Sequence, residues 1–337
     1  MKNTLIAFTL IGVSAAHASS CGDWASGVYN LTNDLTCAGN GLYVGASNTT
    51  INLNGHTIKC IGNGSQGSCQ ATTSGGGGGK IGIWSWTNHQ VTVNGPGTVS
   101  GFSVGISISD GYGHSVNGVT VTGPAAKTLA TNDKDAQAGV DGINLHNVQC
   151  HAGISVTGLP SDGLPTQIVN NEVLNQTRGL FLYNSACVTA TGNNIHNNSG
   201  VPNGGHSGGV GVVLANSSRV NLYSNQVNSN GANLELDGGI MLLGAGTANN
   251  VLYGNTANYN CGYGIWGYDG IGTNNVIANH ARFNGQSTTD GKCAAPQPGH
   301  YTDLASFSQG AGNSWNPNNQ CRTQSGQVPA GVCNPAE

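Results

Sequence analysis

A glycine followed by an alternation of apolar and outward-facing residues recurs at eight places along this chain. The copies are Gly41-Leu42-Tyr43-Val44-Gly45, Gly82-Ile83-Trp84-Ser85-Trp86, Gly105-Ile106-Ser107-Ile108-Ser109 and Gly142-Ile143-Asn144-Leu145-His146, followed by Gly179-Leu180-Phe181-Leu182-Tyr183, Gly211-Val212-Val213-Leu214-Ala215, Gly239-Ile240-Met241-Leu242-Leu243 and Gly264-Ile265-Trp266-Gly267-Tyr268. After each comes a polar turn, a short apolar run and an asparagine: Asn54, Asn94, Asn117, Asn171, Asn193, Asn225, Asn255 and Asn279 in turn. Alternation with a period of two is the signature of a strand with one buried face. The steps from one repeat glycine to the next are 41, 23, 37, 37, 32, 28 and 25 residues. The shorter steps set a basic unit that holds two or three short strands and tight turns but no helix of ordinary length. A unit of that kind cannot bury its own apolar face, so it must stack on its neighbours. Stacking predicts an all-β solenoid of about eight or more coils, one strand added to each sheet per coil. The recurring asparagine is expected to take left-handed backbone geometry and to stack between coils.

Composition narrows the picture. Only 7% of the 337 residues are charged and 55 are glycine, which suits neither a disordered chain nor a helical bundle. A net charge of −4 offers no basic surface for nucleic acid. Residues 1–18 read as a secretory signal: Lys2, an apolar run from Leu5 to Ala16, and the small-x-small sequence Ala16-His17-Ala18. No other stretch approaches the ~20 apolar residues that span a bilayer, so a secreted, periplasmic or cell-surface protein without membrane insertion is expected. All ten cysteines follow that segment. An even number in an oxidising compartment favours disulfides, and the short closures Cys21–Cys37, Cys60–Cys69 and Cys321–Cys333 are expected. The predicted organisation is a cap at 19–40, the solenoid at 41–285 and an irregular cap at 286–337, with disulfides stapling the terminal caps.

The repeat resembles the right-handed parallel β-helix superfamily, which includes pectate lyases, polygalacturonases, alginate epimerases and lyases, and NosD-like periplasmic proteins. The resemblance spans roughly Leu42 to Asn284. It implies the fold and leaves the chemistry open, because hydrolases, lyases, epimerases, tailspikes and adhesins share that fold. The Asn-Thr-Asp, Asp-Asp and Arg-Ile-Lys motifs of polygalacturonases are absent, and Gly205-His206-Ser207-Gly208 is an imperfect echo of their Gly-His-Gly. The Asp-Pro-His-Asp of alginate epimerases and the Arg-x-Pro-x-x-Arg of pectate lyases are absent too. No catalytic residue is carried over from these families.

Setting the copies in register yields two outward ladders. One reads Tyr43, Trp84, Ser107, Asn144, Phe181, Val213, Met241, Trp266; the other Gly45, Trp86, Ser109, His146, Tyr183, Ala215, Leu243, Tyr268. Outward aromatics along a groove suit sugar rings, and eight coils offer about 34 Å of it. The opposing expectation is that insertions cover this face and bury the aromatics; both can hold if one end is covered and the middle is open. Candidate substrate-binding residues are Trp84, Trp86, Asn144, Phe181, His206, Trp266 and Tyr268. Candidate catalytic residues are Asp141, His146, Arg178, Tyr183 and Asp237. An elimination on a uronate needs a cation for the carboxylate, a base for the C5 proton and an acid for the leaving oxygen. Arg178 suits the first, His146 or Asp141 the second, Tyr183 the third. A hydrolase needs two carboxylates flanking the bond, for which Asp141 with Asp237 is the best pair. Further polar residues, Lys127, Asp133, Lys134, Asp135, His151, Asp162 and Glu235, lie on insertions.

Two motifs mislead. Gly101-Phe102-Ser103-Val104-Gly105 matches the nucleophile elbow, but no helix follows it. His146 and His151 are spaced wrongly for two ligands on one strand, so no His or Cys metal site is assigned; a loop-bound Ca²⁺ at the acidic insertions is the stronger cofactor candidate. The expected function is polysaccharide cleavage in a cleft over the repeat strands, by a lyase-like or hydrolytic route. The alternative is a non-catalytic β-helix that binds glycans or partners through the same aromatics.

Overall fold

The repeat sequence winds into a parallel solenoid. The computed structural model describes residues 18–61, 69, 79–123, 141–150, 164–198, 209–231, 237–268, 271–285, 302–306, 313–316 and 318–333. Its main sheet has eleven parallel strands, from Trp24–Ala25 through Ile81–Trp86, Asp141–His146, Arg178–Tyr183 and Tyr263–Tyr268 to Gln324–Gly326. A second sheet has ten strands, from Val28–Asn30 to Ser314–Trp315. The third has seven, from Leu35–Cys37 to Gln226–Asn228, and single bridges Gln226–Thr256 and Thr256–His280 carry it on to the pair His280–Ala281 and Gln320–Cys321. The sheets thus run beyond 41–285 at both ends: Trp24 pairs with Tyr43, and Leu304 with Ile265.

Alternation decides which side chains enter the core. Leu42, Ile83, Ile106, Ile143, Leu180, Val212, Ile240 and Ile265, each next to a repeat glycine, are all buried. They meet Ile51, Val93, Val116 and Ile168 of the second sheet, and Ile58, Val99, Val121 and Val173 of the third, in one continuous apolar core.

The repeat glycines sit where the third sheet turns into the main one, and space fixes their identity. A Cβ on Gly179 would collide with Ile195 and with the Gly211 carbonyl of the next coil; on Gly142 it would collide with Val173 and the Gly179 carbonyl. Gly179→Ala should therefore cost about 1–3 kcal/mol through overpacking. Gly39, with nothing within 4 Å of an added Cβ and no positive φ, should accept alanine without loss. Urea melts of the two variants test the contrast.

Polar ladders tie the coils at the other corners. Asn171, Asn193, Asn225, Asn255, Asn279 and Asn319 are buried, and each amide nitrogen through Asn279 donates to the Oδ1 of the next. The left-handed backbone expected at the repeat asparagines is present at Asn54, whereas along the ladder it lies one residue earlier, at Asn170, Gly192, Ser224, Gly254 and Ala278. That residue reverses the chain, which frees the next side chain to point inward. Asn94 and Asn117 are outside the ladder: Asn94 bonds Asn52 on the surface, and Asn171 accepts from the Val119 backbone amide.

Disulfides Cys21–Cys37, Cys60–Cys69 and Cys321–Cys333 are present, together with Cys150–Cys187. Free cysteines are absent among the described residues.

His114, 1% exposed, fills the corner before the second sheet. Its Nδ1 accepts from the Val91 amide at 3.3 Å and its Nε2 donates to the Asp110 carbonyl at 3.1 Å. This requires the neutral ring. Burial is the main reason its pKa is held down at about 4. The unfolded chain takes up this proton near pH 6.5 and the folded chain does not, so stability falls as pH drops from 6.5 towards 4 and levels off below. The loss attributable to His114 should be roughly 3 kcal/mol. Denaturant melts across that range, with NMR showing the ring still neutral at about pH 5, check both parts.

Candidate functional site

The main sheet carries the site because its outward positions stack in the expected register. Trp84 pairs with Tyr43 and Ser107, Asn144 with Phe181, and Met241 with Trp266. One ladder over, Trp86, Ser109, His146 and Tyr183 follow on successive strands. Along this face the environment changes from open to covered.

At the open end, Trp24, Tyr43, Trp84 and Trp86 form a continuous aromatic row. Trp24 stacks on Tyr43 at 4.9 Å, Tyr43 meets Trp84 at 5.8 Å, and Trp84 stacks on Trp86 at 6.0 Å. Trp24 and Trp86 are 70% and 61% exposed. These rings, with Val44 and Thr87, line a cleft of about 430 Å³ that has no charged side chain in its wall. The Tyr43 hydroxyl accepts from Asn40, whose Oδ1 in turn accepts from the Ile81 amide, and this fixes the Tyr43 ring. A Cβ at Gly45 would rest against the Trp24 indole at 3.7 Å and approach the Ala25 carbonyl at 3.3 Å. Sequence reasoning missed Trp24 by assigning it to a cap. The signal was there: Gly22 precedes Trp24 by two residues, as Gly41 precedes Tyr43 and Gly82 precedes Trp84.

In the middle, four of the catalytic candidates form two contacting pairs. Arg178 holds Asp141 side-on, Nε to Oδ1 at 2.6 Å and Nη2 to Oδ2 at 3.1 Å, and Asn144 Nδ2 donates to Oδ2 at 3.0 Å. The guanidinium lies 3.8 Å from the centroid of Phe181. The Asp141 side chain is 2% exposed and that of Arg178 24%, so the arginine faces solvent and the carboxylate does not. Beside them His146 stacks on Tyr183 at 5.2 Å and 10°. Asp141 and Arg178 meet because each directly precedes a repeat glycine and the coils are in register.

The far end is covered. Val210, Val213, Ala215, Met241, Tyr263, Trp266 and Ala305 form a second buried apolar cluster, with Phe181, Tyr183 and Leu243 packed against it. This corrects the expectation of Trp266 as an open platform: it is fully buried, 5.2 Å from Tyr263. Tyr268 remains 43% exposed. Asp237 is buried as well. Its strand lies three steps along the sheet from that of Asp141, about 14 Å at ~4.8 Å per step. That exceeds the ~9.5 Å upper separation of an inverting carboxylate pair.

His206 and the insertion residues Lys127, Asp133, Lys134, Asp135, His151, Asp162 and Glu235 lie outside the described residues, as does the acidic region considered for Ca²⁺. Among the described residues no group of three or more His, Cys, Asp or Glu is placed to hold a metal ion.

The family described as "Right handed beta helix region" matches residues 129–295, and all three sheets are parallel stacks in register. The chain folds as a right-handed parallel β-helix. This β-helix is similar in structure to a DFA-IIIase from Arthrobacter chlorophenolicus A6 without its lid, with 16% identity, 89% of this chain and 65% of that one covered, and a TM-score of 0.50. The same enzyme in complex with GF2 gives 14% identity, 88% and 63% coverage and a TM-score of 0.47. A Dettilon tailspike protein gives 16% identity, 85% and 60% coverage and a TM-score of 0.36. The β-helix therefore spans just under two thirds of the length of these neighbours, and at such identity the likeness is one of fold. No curated protein matches the sequence significantly.

Proposed function

We propose that this β-helix is an exported protein that binds a polysaccharide along its main sheet and cleaves it by elimination. The observation that carries the reading is the row Trp24, Tyr43, Trp84 and Trp86, with two indoles open to solvent over an uncharged cleft. Exposed contiguous aromatic surface marks a binding site, and flat ring faces suit the apolar faces of sugars. The row leads across successive strands, through Ser109, to His146 and Tyr183, so a glycan lying parallel to the solenoid axis spans both regions. There Arg178 neutralises a uronate carboxylate and Asp141 holds the guanidinium in place. The His146 ring takes the C5 proton, the electron pair forms the C4–C5 double bond, and the Tyr183 hydroxyl protonates the departing glycosidic oxygen. Asp141 itself is too enclosed to serve as the base. Disulfides fit an oxidising compartment, in keeping with the signal sequence read at residues 1–18. Among the described residues no helix is long and apolar enough to cross a membrane.

The second reading, glycan binding without cleavage, is favoured by one observation: the Arg178–Asp141 pair is internally satisfied. A panel of neutral and acidic polysaccharides separates the two. Trp24→Ala with Trp86→Ala should weaken binding to the recognised glycan by about 30-fold, the effect of losing an aromatic anchor worth about 2 kcal/mol; undiminished binding would remove the cleft from the argument. An ultraviolet-absorbing unsaturated product, lost in His146→Ala and Tyr183→Phe, is expected of the enzyme. Binding with neither new reducing ends nor that absorbance leaves the binding protein.

A further inference from the structure

A second patch, on the opposite end and a different sheet, has its own chemistry. The chain contains only four arginines, and two of them, Arg282 and Arg322, follow the paired strands His280–Ala281 and Gln320–Cys321 directly, in register. Their guanidinium groups sit on neighbouring strands, where like charges oppose one another. Among the described residues neither group is in a salt bridge. Arg282 Nη2 donates to Gln320 Oε1 at 2.9 Å, and Arg322 lies 4.9 Å from the centroid of Phe283. The nearby Asp303 is buried, its carboxylate accepting from the Asn284 side chain and from the backbone amides of Asn284, Arg322 and Thr323. It anchors the loop that presents Arg322, and among the described residues no carboxylate pairs with the outward charge.

Aromatic rings flank these cations. Phe283 stacks on Tyr259 at 5.1 Å and 7°, and the two are 36% and 52% exposed. Both occupy left-handed backbone, at φ 58° and 56°. The corresponding corner positions one and two coils earlier hold Ser229 and Asn197. Bulky side chains are unfavourable there, so folding does not select these rings. Exposed His280 adjoins them.

We propose that Arg282, Arg322 and His280, with Tyr259 and Phe283, form a binding surface for an acidic polysaccharide. Two guanidinium groups on adjacent coils offer donors to carboxylate or sulfate oxygens, and a bound anion offsets their like charge. The ring rims beside them receive the apolar edge of the sugar. A single-stranded nucleic acid fits less well: it needs free ring faces, and those of Phe283 are engaged by Tyr259 and Arg322. The patch stands apart from the main-sheet cleft, so either assignment can fail without the other.

Affinity electrophoresis of the whole protein through gels containing polygalacturonate, dextran sulfate or neutral dextran tests the surface. Retardation by at least one acidic polymer and none by dextran is expected; polygalacturonate alone assigns a carboxylate ligand, dextran sulfate alone a sulfate. Arg282→Gln with Arg322→Gln should weaken retention at least tenfold, while Arg282→Lys with Arg322→Lys should lose less. Tyr259→Asn suits left-handed backbone and so removes the ring without cost to the fold; it should weaken retention as well. Arg219→Gln, which removes an exposed arginine on the ten-stranded sheet, should leave it unchanged. Acidic-polymer binding that survives the glutamine double variant overturns the proposal. So does tighter, equally arginine-dependent binding of a single-stranded oligodeoxynucleotide.

Discussion

Arg178→Ala should destabilise the protein by about 4 kcal/mol, because it strands the Asp141 carboxylate in a buried position without its cation. Asn144 supplies one hydrogen bond to that carboxylate and cannot supply the charge. Replacing both members, Asp141→Leu with Arg178→Met, should recover most of the loss, since well-packed apolar side chains often serve as well as a buried ion pair. Arg178→Lys should fall between, as an ammonium group cannot reproduce the side-on pair of bonds. Guanidinium chloride melts of the four proteins form the test, and a wild-type midpoint for Arg178→Ala would sink it. The comparison also bears on function. A variant that keeps its fold through the apolar pair but yields no unsaturated product separates Arg178's chemical role from its structural one.

Asn225→Ala should cost about 5 kcal/mol, the sum of several buried groups left unpaired at ~1–3 kcal/mol each. Asn225 Oδ1 accepts from both the backbone and the side-chain amide of Asn193, and its Nδ2 donates to the Ala190 carbonyl and to Asn255 Oδ1. Alanine orphans partners on the coils to either side. Half-buried Asn228, at the end of a strand in the same coil, has one side-chain hydrogen bond among the described residues, from the Asn258 amide, so Asn228→Ala should cost far less. Thermal unfolding of the two alanine variants would reveal the difference; equal losses would mean the buried ladder contributes no more than a single half-buried hydrogen bond. A parallel ladder of Asn198, Asn230, Asn260 and Asn284 ends in an aspartate, Asp303. Asp303 accepts from Asn284 on one oxygen and, with the other, from the backbone amides of Arg322 and Thr323.

The parts that were legible in the sequence are those set by local alternation and by stacking in register. Gly142-Ile143-Asn144-Leu145-His146 states which residues enter the core, and aligning it with Gly179-Leu180-Phe181-Leu182-Tyr183 states which outward residues meet. Three disulfides were legible because their cysteines close short loops. The burial of Trp266 was not, since alternation says which side of a strand a residue occupies and nothing about what packs onto that side. The left-handed position was legible at Asn54 and not along the ladder, because no single residue type marks it there: Asn170, Gly192, Ser224, Gly254 and Ala278 all serve. Trp24 is illegible because it falls at a boundary, in a first coil whose sequence reads as a cap.

The asparagine ladder also says how this architecture tolerates change. Successive ladder residues are separated by 22, 32, 30, 24 and 40 positions in the chain. Yet the bonds between them stay within 2.8–3.1 Å. Each rung recognises the next by a side chain and ignores the length of chain in between. Loops leaving the coils can therefore lengthen, shorten or be exchanged over evolutionary time while the same amide column keeps the count, which leaves the scaffold free to acquire new chemistry without relearning how to fold.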